Sequence, residues 1–218
     1  MRIGVLVYGI MLSVGSLGWA DGDAQHAPST PGERPMLMLK QFPEKPEAYA
    51  APAADLIKQG IPDKFGHEEW VAVVLTHEVH HHVGVYSIIG AKMGVRAREI
   101  LGAPMRSVRV AVETGEKPPL SCMADGLQVA LGSTLGQGLI RVPETHEPRV
   151  AATFEYQGKS IRLELTPKLR ADIDNAIQSM VKEHGNLTPE YFRAVERFSY
   201  RFWTESDRRT MFIEQTVK

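Results

Sequence analysis

Apolar positions along this chain switch several times between the three-to-four-residue spacing of a helix and the two-residue spacing of a strand. From His67 to about His82, Trp70, Val71, Val74, Leu75 and Val79 recur at helical spacing, which predicts a helix burying that face. Gly84 offers a stop, and a second helix is expected over about Ser87–Leu101, with Ile89, Met93, Ala97 and Ile100 on one side. Gly102 and Pro104 end it. Val108, Val110 and Val112 then alternate with Arg109, Ala111 and Glu113, the pattern of a half-exposed strand. A short helix is expected over about Ser121–Leu131, then strands over 138–142, 149–156 and 160–165, the last two joined by the hairpin signal Gln157-Gly158-Lys159. Helices over about 168–184 and 189–204 close the chain, and their aromatics Tyr191, Phe198, Phe202 and Trp203 are expected to pack on the body. The fold class is therefore α+β: a small mixed sheet with helices packed on it, in an α-β-α-β-β-β core followed by C-terminal helices.

The N-terminus changes the picture of where the chain works. Arg2 precedes an apolar and small-residue run from Ile3 to Leu17, and Gly18-Trp19-Ala20 ends in a small residue. These features predict a secretory signal over residues 1–20 with cleavage after Ala20, and hence a periplasmic or secreted protein. Residues 21–65, interrupted by Pro and Gly, are expected to form a flexible leader and a surface wrap around Leu56-Ile57. Residues 66–218 then make one domain, with a helical extension from about 168. The mature chain has no run of the roughly 20 apolar residues that a membrane span needs. A net charge of −1 over 218 residues argues against a nucleic-acid partner, which calls for a concentrated basic face. The aromatic C-terminal helix leaves room for a homodimer.

Candidate chemistry is concentrated in histidines and one thiol. His77, His80, His81 and His82 fall within six residues, and clustered imidazoles suit a divalent metal. If the helix runs on to His82, Glu78 and His82 face the apolar arc and His80 the far side. If it ends near Val79, the three histidines lie on an irregular turn, and His80 and His82 point the same way. A bland alternative is a solvated histidine run at a helix C-terminus, in a binding module without metal. A sharper one is His77-Glu78-Val79-His80-His81, which fits the His-Glu-x-x-His helix of zinc peptidases with Glu78 activating water. The longer form of that motif would place a third histidine at position 87, which is Ser87.

The single cysteine, Cys122, excludes an internal disulfide and a cysteine-only zinc or iron–sulfur site. Pro118-Pro119-Leu120-Ser121-Cys122 sets the thiol at the start of a short helix, where backbone N–H groups are expected to favour the thiolate. Asp125, one turn on, could face the same site or complement the helix dipole. The glycines of Gly132-Ser133-Thr134-Leu135-Gly136-Gln137-Gly138 lack phosphate-loop spacing and its lysine, and read as a tight turn or close approach. Nothing local matches a cysteine hydrolase.

Two segments together resemble the FmdE family, which takes its name from one of the subunits of formylmethanofuran dehydrogenase. The first is His80-His81-His82-Val83-Gly84-Val85-Tyr86 with Gly90, Met93 and Gly94, similar to the family's His-Gly-His-x-Gly-Pro-Tyr and Gly-x-x-Met-Gly. The other is Pro118-Pro119-Leu120-Ser121-Cys122-Met123-Ala124-Asp125-Gly126-Leu127-Gln128 with Gly132, Thr134, Leu135, Gly136 and Gly138, similar to Pro-x-Ser-Cys-x-x-Asp-Gly-x-Gln and Gly-x-Thr-x-Gly. The resemblance covers about residues 67–166. It implies a metal held by His80, His82 and Cys122, with Asp125 a fourth ligand or a partner orienting an imidazole. Zinc suits such a mixed N/S set, with nickel or copper as alternatives. An open coordination position would admit a small-molecule ligand. His81 stands where the family has glycine and Val85 where it has proline, and the multi-cysteine zinc domain of archaeal relatives has no counterpart here. The expected role is a metal carrier, sensor or accessory protein; the alternative is a zinc metallohydrolase built on His77, Glu78 and His81.

Overall fold

A computed structural model describes residue 39 and residues 41–217. The expected signal peptide and the leader up to residue 35 lie outside these described residues. Seven helices are described: α1 (Ala51–Lys58), α2 (Ile61–Phe65), α3 (His67–His80), α4 (Val85–Leu101), α5 (Met123–Leu131), α6 (Pro167–His184) and α7 (Pro189–Glu205). Five strands, β1 (Arg109–Val112), β2 (Ile140–Arg141), β3 (Ala151–Tyr156), β4 (Lys159–Leu165) and β5 (Phe212–Val217), form one sheet in the order β2-β1-β3-β4-β5. β1 and β2 pair parallel, and the other neighbours pair antiparallel. The fold is α+β, as the apolar pattern predicts. Among the described residues no helix is long and apolar enough to cross a membrane.

The sheet follows from alternation. Val110 and Val112 of β1 and Ile161, Leu163 and Leu165 of β4 are buried on one face. On the other face Arg162 of β4 donates to both carboxylate oxygens of Glu113, at 2.8 and 2.7 Å. Gln157 and Gly158 both take positive φ between the paired residues Tyr156 and Lys159. That is the two-residue turn whose twist matches antiparallel strands.

Three features depart from expectation. α1 and α2 occupy the stretch expected to wrap the surface, and Leu56, Ile61 and Phe65 enter the core. Pro52 and Pro62 read as interruptions, but each sits in the first turn of its helix, where a missing N–H costs nothing. β5 has no counterpart among the expected strands; only Phe212 in it is buried, so its sequence carries no alternation. The third departure is the face of α3. Its buried residues are Glu69, Trp70, Ala72, Val73 and Thr76, whereas Leu75 and Val79 are exposed.

Polar partners explain that rotation. Glu69 is fully buried, yet its carboxylate accepts hydrogen bonds from Lys92 Nζ (2.6 Å), Trp203 Nε1 (3.2 Å) and Arg208 Nη1 (2.9 Å). Arg208 also donates to Glu99, and Lys92 to the Ser206 carbonyl. A buried carboxylate is tolerated only when charges and donors surround it in this way. The cluster pins α3, α4 and the chain after α7 to one another.

α4 is buried nearly all round, packed against α3, α5, α7 and β4. Its approach to α5 is very close. A Cβ on Gly90 would lie 2.0 Å from the Met123 carbonyl oxygen, and one on Gly126 would lie 2.2 Å from that of Ser87. Such distances are impossible for any side chain, so these glycines let the two helix backbones touch. This crossing carries the start of α5, with Cys122 and Asp125, to the junction between α3 and α4.

Candidate metal centre

α3 ends at His80, and His81 takes the left-handed conformation (φ 60°) with its N–H bonded to the His77 carbonyl. The chain reverses there, so His80 and His82 project to the same side, with ring centroids 4.2 Å apart. This is the outcome expected for a helix that stops short of His82. His81 itself is exposed.

Gly84 completes the arrangement by what it lacks. A Cβ at this position would lie 3.4 Å from His82 Nε2 and 3.7 Å from His80 Nε2. Both imidazole nitrogens therefore lie within contact distance of one point beside Gly84. The His80 side chain is only 10% exposed, and its Nδ1 lies 2.8 Å from Asp125 Oδ2. An ionised carboxylate can only accept, so a proton sits on Nδ1, and a ring carrying that one proton leaves its lone pair at Nε2. That Nε2 is buried and has no hydrogen-bond partner. Buried polar atoms are nearly always satisfied, and a lone pair left open beside a second imidazole is what a cation would complete. Two imidazole nitrogens, one of them buried with an open lone pair, suit part of the donor set of a divalent transition metal.

His77 has a different task. Its Nε2 lies 3.1 Å from Ser87 Oγ, whose hydroxyl donates to the Gly84 carbonyl at 2.8 Å. This chain of bonds ties the end of α3 to the start of α4 across the histidine turn. Burial first, and His80 next, lower the His77 pKa to about 4, so the ring is neutral at physiological pH. Burial and the neighbouring His80 also lower His82 below the usual histidine range. A neutral imidazole is the ligating form.

The peptidase motif does not assemble. It needs both histidines on one continuous helix, whereas His77 is committed to Ser87, His81 lies outside α3, and Glu78 is exposed. The apolar-arc placement of Glu78, which required the helix to run on to His82, does not arise.

Cys122 is half-buried and unbonded to another cysteine, one turn ahead of Asp125 at the mouth of α5. Its thiol pKa is pushed up, first by burial and then by the Asp125 charge. The expectation that the helix start would favour the thiolate is thus reversed, because both effects outweigh the backbone N–H groups. Among the described residues no three His, Cys, Asp or Glu side chains already form a ligand cluster. The structure pairs His80 with His82 on one side and with Asp125 on its far nitrogen, and among the described residues it does not gather Cys122 with them into a ligand set. In the glycine-rich turn, Gly132 and Gly138 take positive φ, and Thr134 and Gln137 cap the intervening helical turn. Gln128 accepts from the Leu135 N–H, and buried Ser133 donates to the Val108 carbonyl. These residues anchor α5 to the sheet and do not form a ligand loop.

Comparison with known families matches residues 79–203 to the family described as FmdE, molybdenum formylmethanofuran dehydrogenase operon. That is more than half of the chain. The chain belongs to the FmdE family. The matched stretch begins at Val79, so it takes in His80, His82, Gly84, Cys122 and Asp125 and leaves out His77 and Glu78. No curated protein matches the chain. For the FmdE family, the glycine that the resemblance sets at position 81 has a physical reason here: the position is left-handed, which glycine adopts without strain. The proline set at position 85 would fall at the first residue of α4, where proline is favoured.

Proposed function

We propose that this FmdE-family chain is a periplasmic transition-metal-binding protein, with zinc the first candidate and nickel or copper next. His80 Nε2 and His82 Nε2 form the nucleus of the site. Cys122 supplies sulfur from the start of α5, and Asp125 orients the His80 ring. The observation that carries this reading is the buried, unpartnered His80 Nε2, with His82 Nε2 near the same point beside Gly84. When bound, the metal would act as a Lewis acid with an open position for a small-molecule ligand. The protein's own part is to hold two imidazoles in place and keep the Nδ1 proton of His80 directed at Asp125. The role is that of a carrier, sensor or accessory protein. Location in the periplasm rests on the apolar segment from Ile3 to Leu17 and the small residue Ala20.

The test is metal analysis of protein purified without a histidine tag, wild type beside His82→Ala and Cys122→Ser. About one metal ion per wild-type chain is expected, with affinity lowered at least roughly tenfold in His82→Ala, the order seen when a metal site is disturbed. Wild-type protein that takes up no divalent transition metal overturns the reading. A Cys122→Ser variant with unchanged affinity removes Cys122 from the ligand set.

A further inference from the structure

A cleft of about 700 Å³ opens beside the histidine turn, between α3, α7 and the segment that precedes α1. This volume suits a small organic molecule. Five aromatic rings line it: Phe42, Tyr49, Phe192, Tyr200 and Trp203. They are supported from behind, since Trp203 stacks on Trp70 at 5.2 Å and Trp70 meets Tyr49 edge-on at 5.5 Å. His82 also lines the cleft, with its ring edge-on to Phe192 at 5.9 Å.

The charges in the cleft are unevenly matched. Among the described residues, its lining carries Glu78 on α3, Glu196 on α7 and the cation Arg193, together with the histidines His77, His81 and His82. Arg193 is already paired with Glu190, one turn back on α7. Glu78 and Glu196 have no ion-pair partner among the described residues. His77 adds no charge at neutral pH, because burial holds it in the neutral form. The described walls therefore offer ring faces and two carboxylates outside any ion pair among the described residues, a combination that attracts an organic cation and repels an anion.

We propose that this cleft binds a small organic amine in its protonated form. The apolar body of the ligand lies against the aromatic wall, and the ammonium group faces Glu78 and Glu196. None of the five aromatic rings and neither carboxylate is a proposed metal ligand, so this inference stands apart from the metal-binding reading. His82 lines the cleft and belongs to the histidine pair, so a bound amine would lie next to the metal centre.

The experiment uses metal-free protein and three probes of similar size: phenethylamine, phenethyl alcohol and 3-phenylpropionate. Binding is followed by calorimetry and by the fluorescence of the stacked tryptophans. Phenethylamine should bind at least about tenfold tighter than the alcohol, from the combined cation–π and carboxylate attraction, and 3-phenylpropionate weakest. Both carboxylates line the cleft, so a Glu78→Gln/Glu196→Gln double variant should keep its thermal midpoint. It should lose the carboxylate share of that preference, which falls several-fold, and bind the alcohol as before. Equal affinity for amine and alcohol, tighter binding of the carboxylate, or an unaltered preference in the double variant would each overturn the proposal.

Discussion

The two ends of α3 each bury a polar group, and they do so in opposite ways. At the N-terminal end, Glu69 is enclosed by Lys92, Trp203 and Arg208. At the C-terminal end, His80 is held by Asp125 on one nitrogen and by nothing on the other. The first arrangement is closed: its bonds join elements distant in the chain, and no donor is aimed at a ligand. The second is open, with the His82 ring and Gly84 beside the unpartnered nitrogen. A satisfied buried network makes structure, whereas an unsatisfied nitrogen beside a second imidazole marks a site.

The largest effect should come from the closed end. Glu69→Gln leaves Lys92 and Arg208 buried without their shared counter-charge, and about 3–5 kcal/mol of stability should be lost in urea unfolding. If Glu69→Gln costs less than about 1 kcal/mol, the cluster is not the fastener described here.

Acid should act next, through His77. Its folded pKa of about 4 lies below the usual histidine value of 6.5, so the fold favours the neutral ring. The resulting stability is fully present above about pH 6.5 and is lost as pH falls through about 4. That contribution is up to about 3 kcal/mol, at 1.36 kcal/mol per pKa unit. A His77→Gln variant should show a flatter decline of stability over this window; an identical decline would assign the acid sensitivity elsewhere.

At the open end, effects should appear in metal affinity more than in stability. Asp125→Asn removes the charge that sets the His80 tautomer and should weaken zinc binding about 10–100-fold. An equal loss in global stability would mark Asp125 as a structural residue. The smallest effect is expected at the turn. His81→Gly relieves a left-handed histidine and should leave stability unchanged or raised by up to about 1 kcal/mol. Zinc affinity should be retained, and its loss would make His81 a ligand.

Much of this comparison is legible in the chain, and the limits have physical causes. Helix and strand spacing locates α3 to α7 and β1 to β4 closely, because each has at least one face packed on the core. β5 escapes because an edge strand with one buried residue has no period. The face of α3 is misread because the spacing argument counts apolar residues only. It cannot anticipate that Glu69 will meet Lys92 from α4 and Arg208 from beyond α7. The two resembling segments single out His80, His82, Cys122 and Asp125, of which the structure relates His80 to His82 and to Asp125. The turn that unites His80 and His82 is one of two readings the sequence leaves open. The roles of Gly84, Gly90 and Gly126 are hidden, since close approach is a property of pairs of elements. The helical spacing of Gly90 and Gly94 is the available signal. The thiol of Cys122 is misjudged for a related reason: position in a helix does not report burial or a neighbouring carboxylate.

The central claim concerns one atom, His80 Nε2, and nitrogen-15 NMR of the imidazole rings during a zinc titration addresses it directly. The account predicts that the Nε2 resonances of His80 and His82 move together to metal-bound positions at one equivalent of zinc, while the protonated Nδ1 of His80 stays coupled to its hydrogen. A His80 ring whose nitrogens do not respond to zinc, in protein that remains folded, would contradict it.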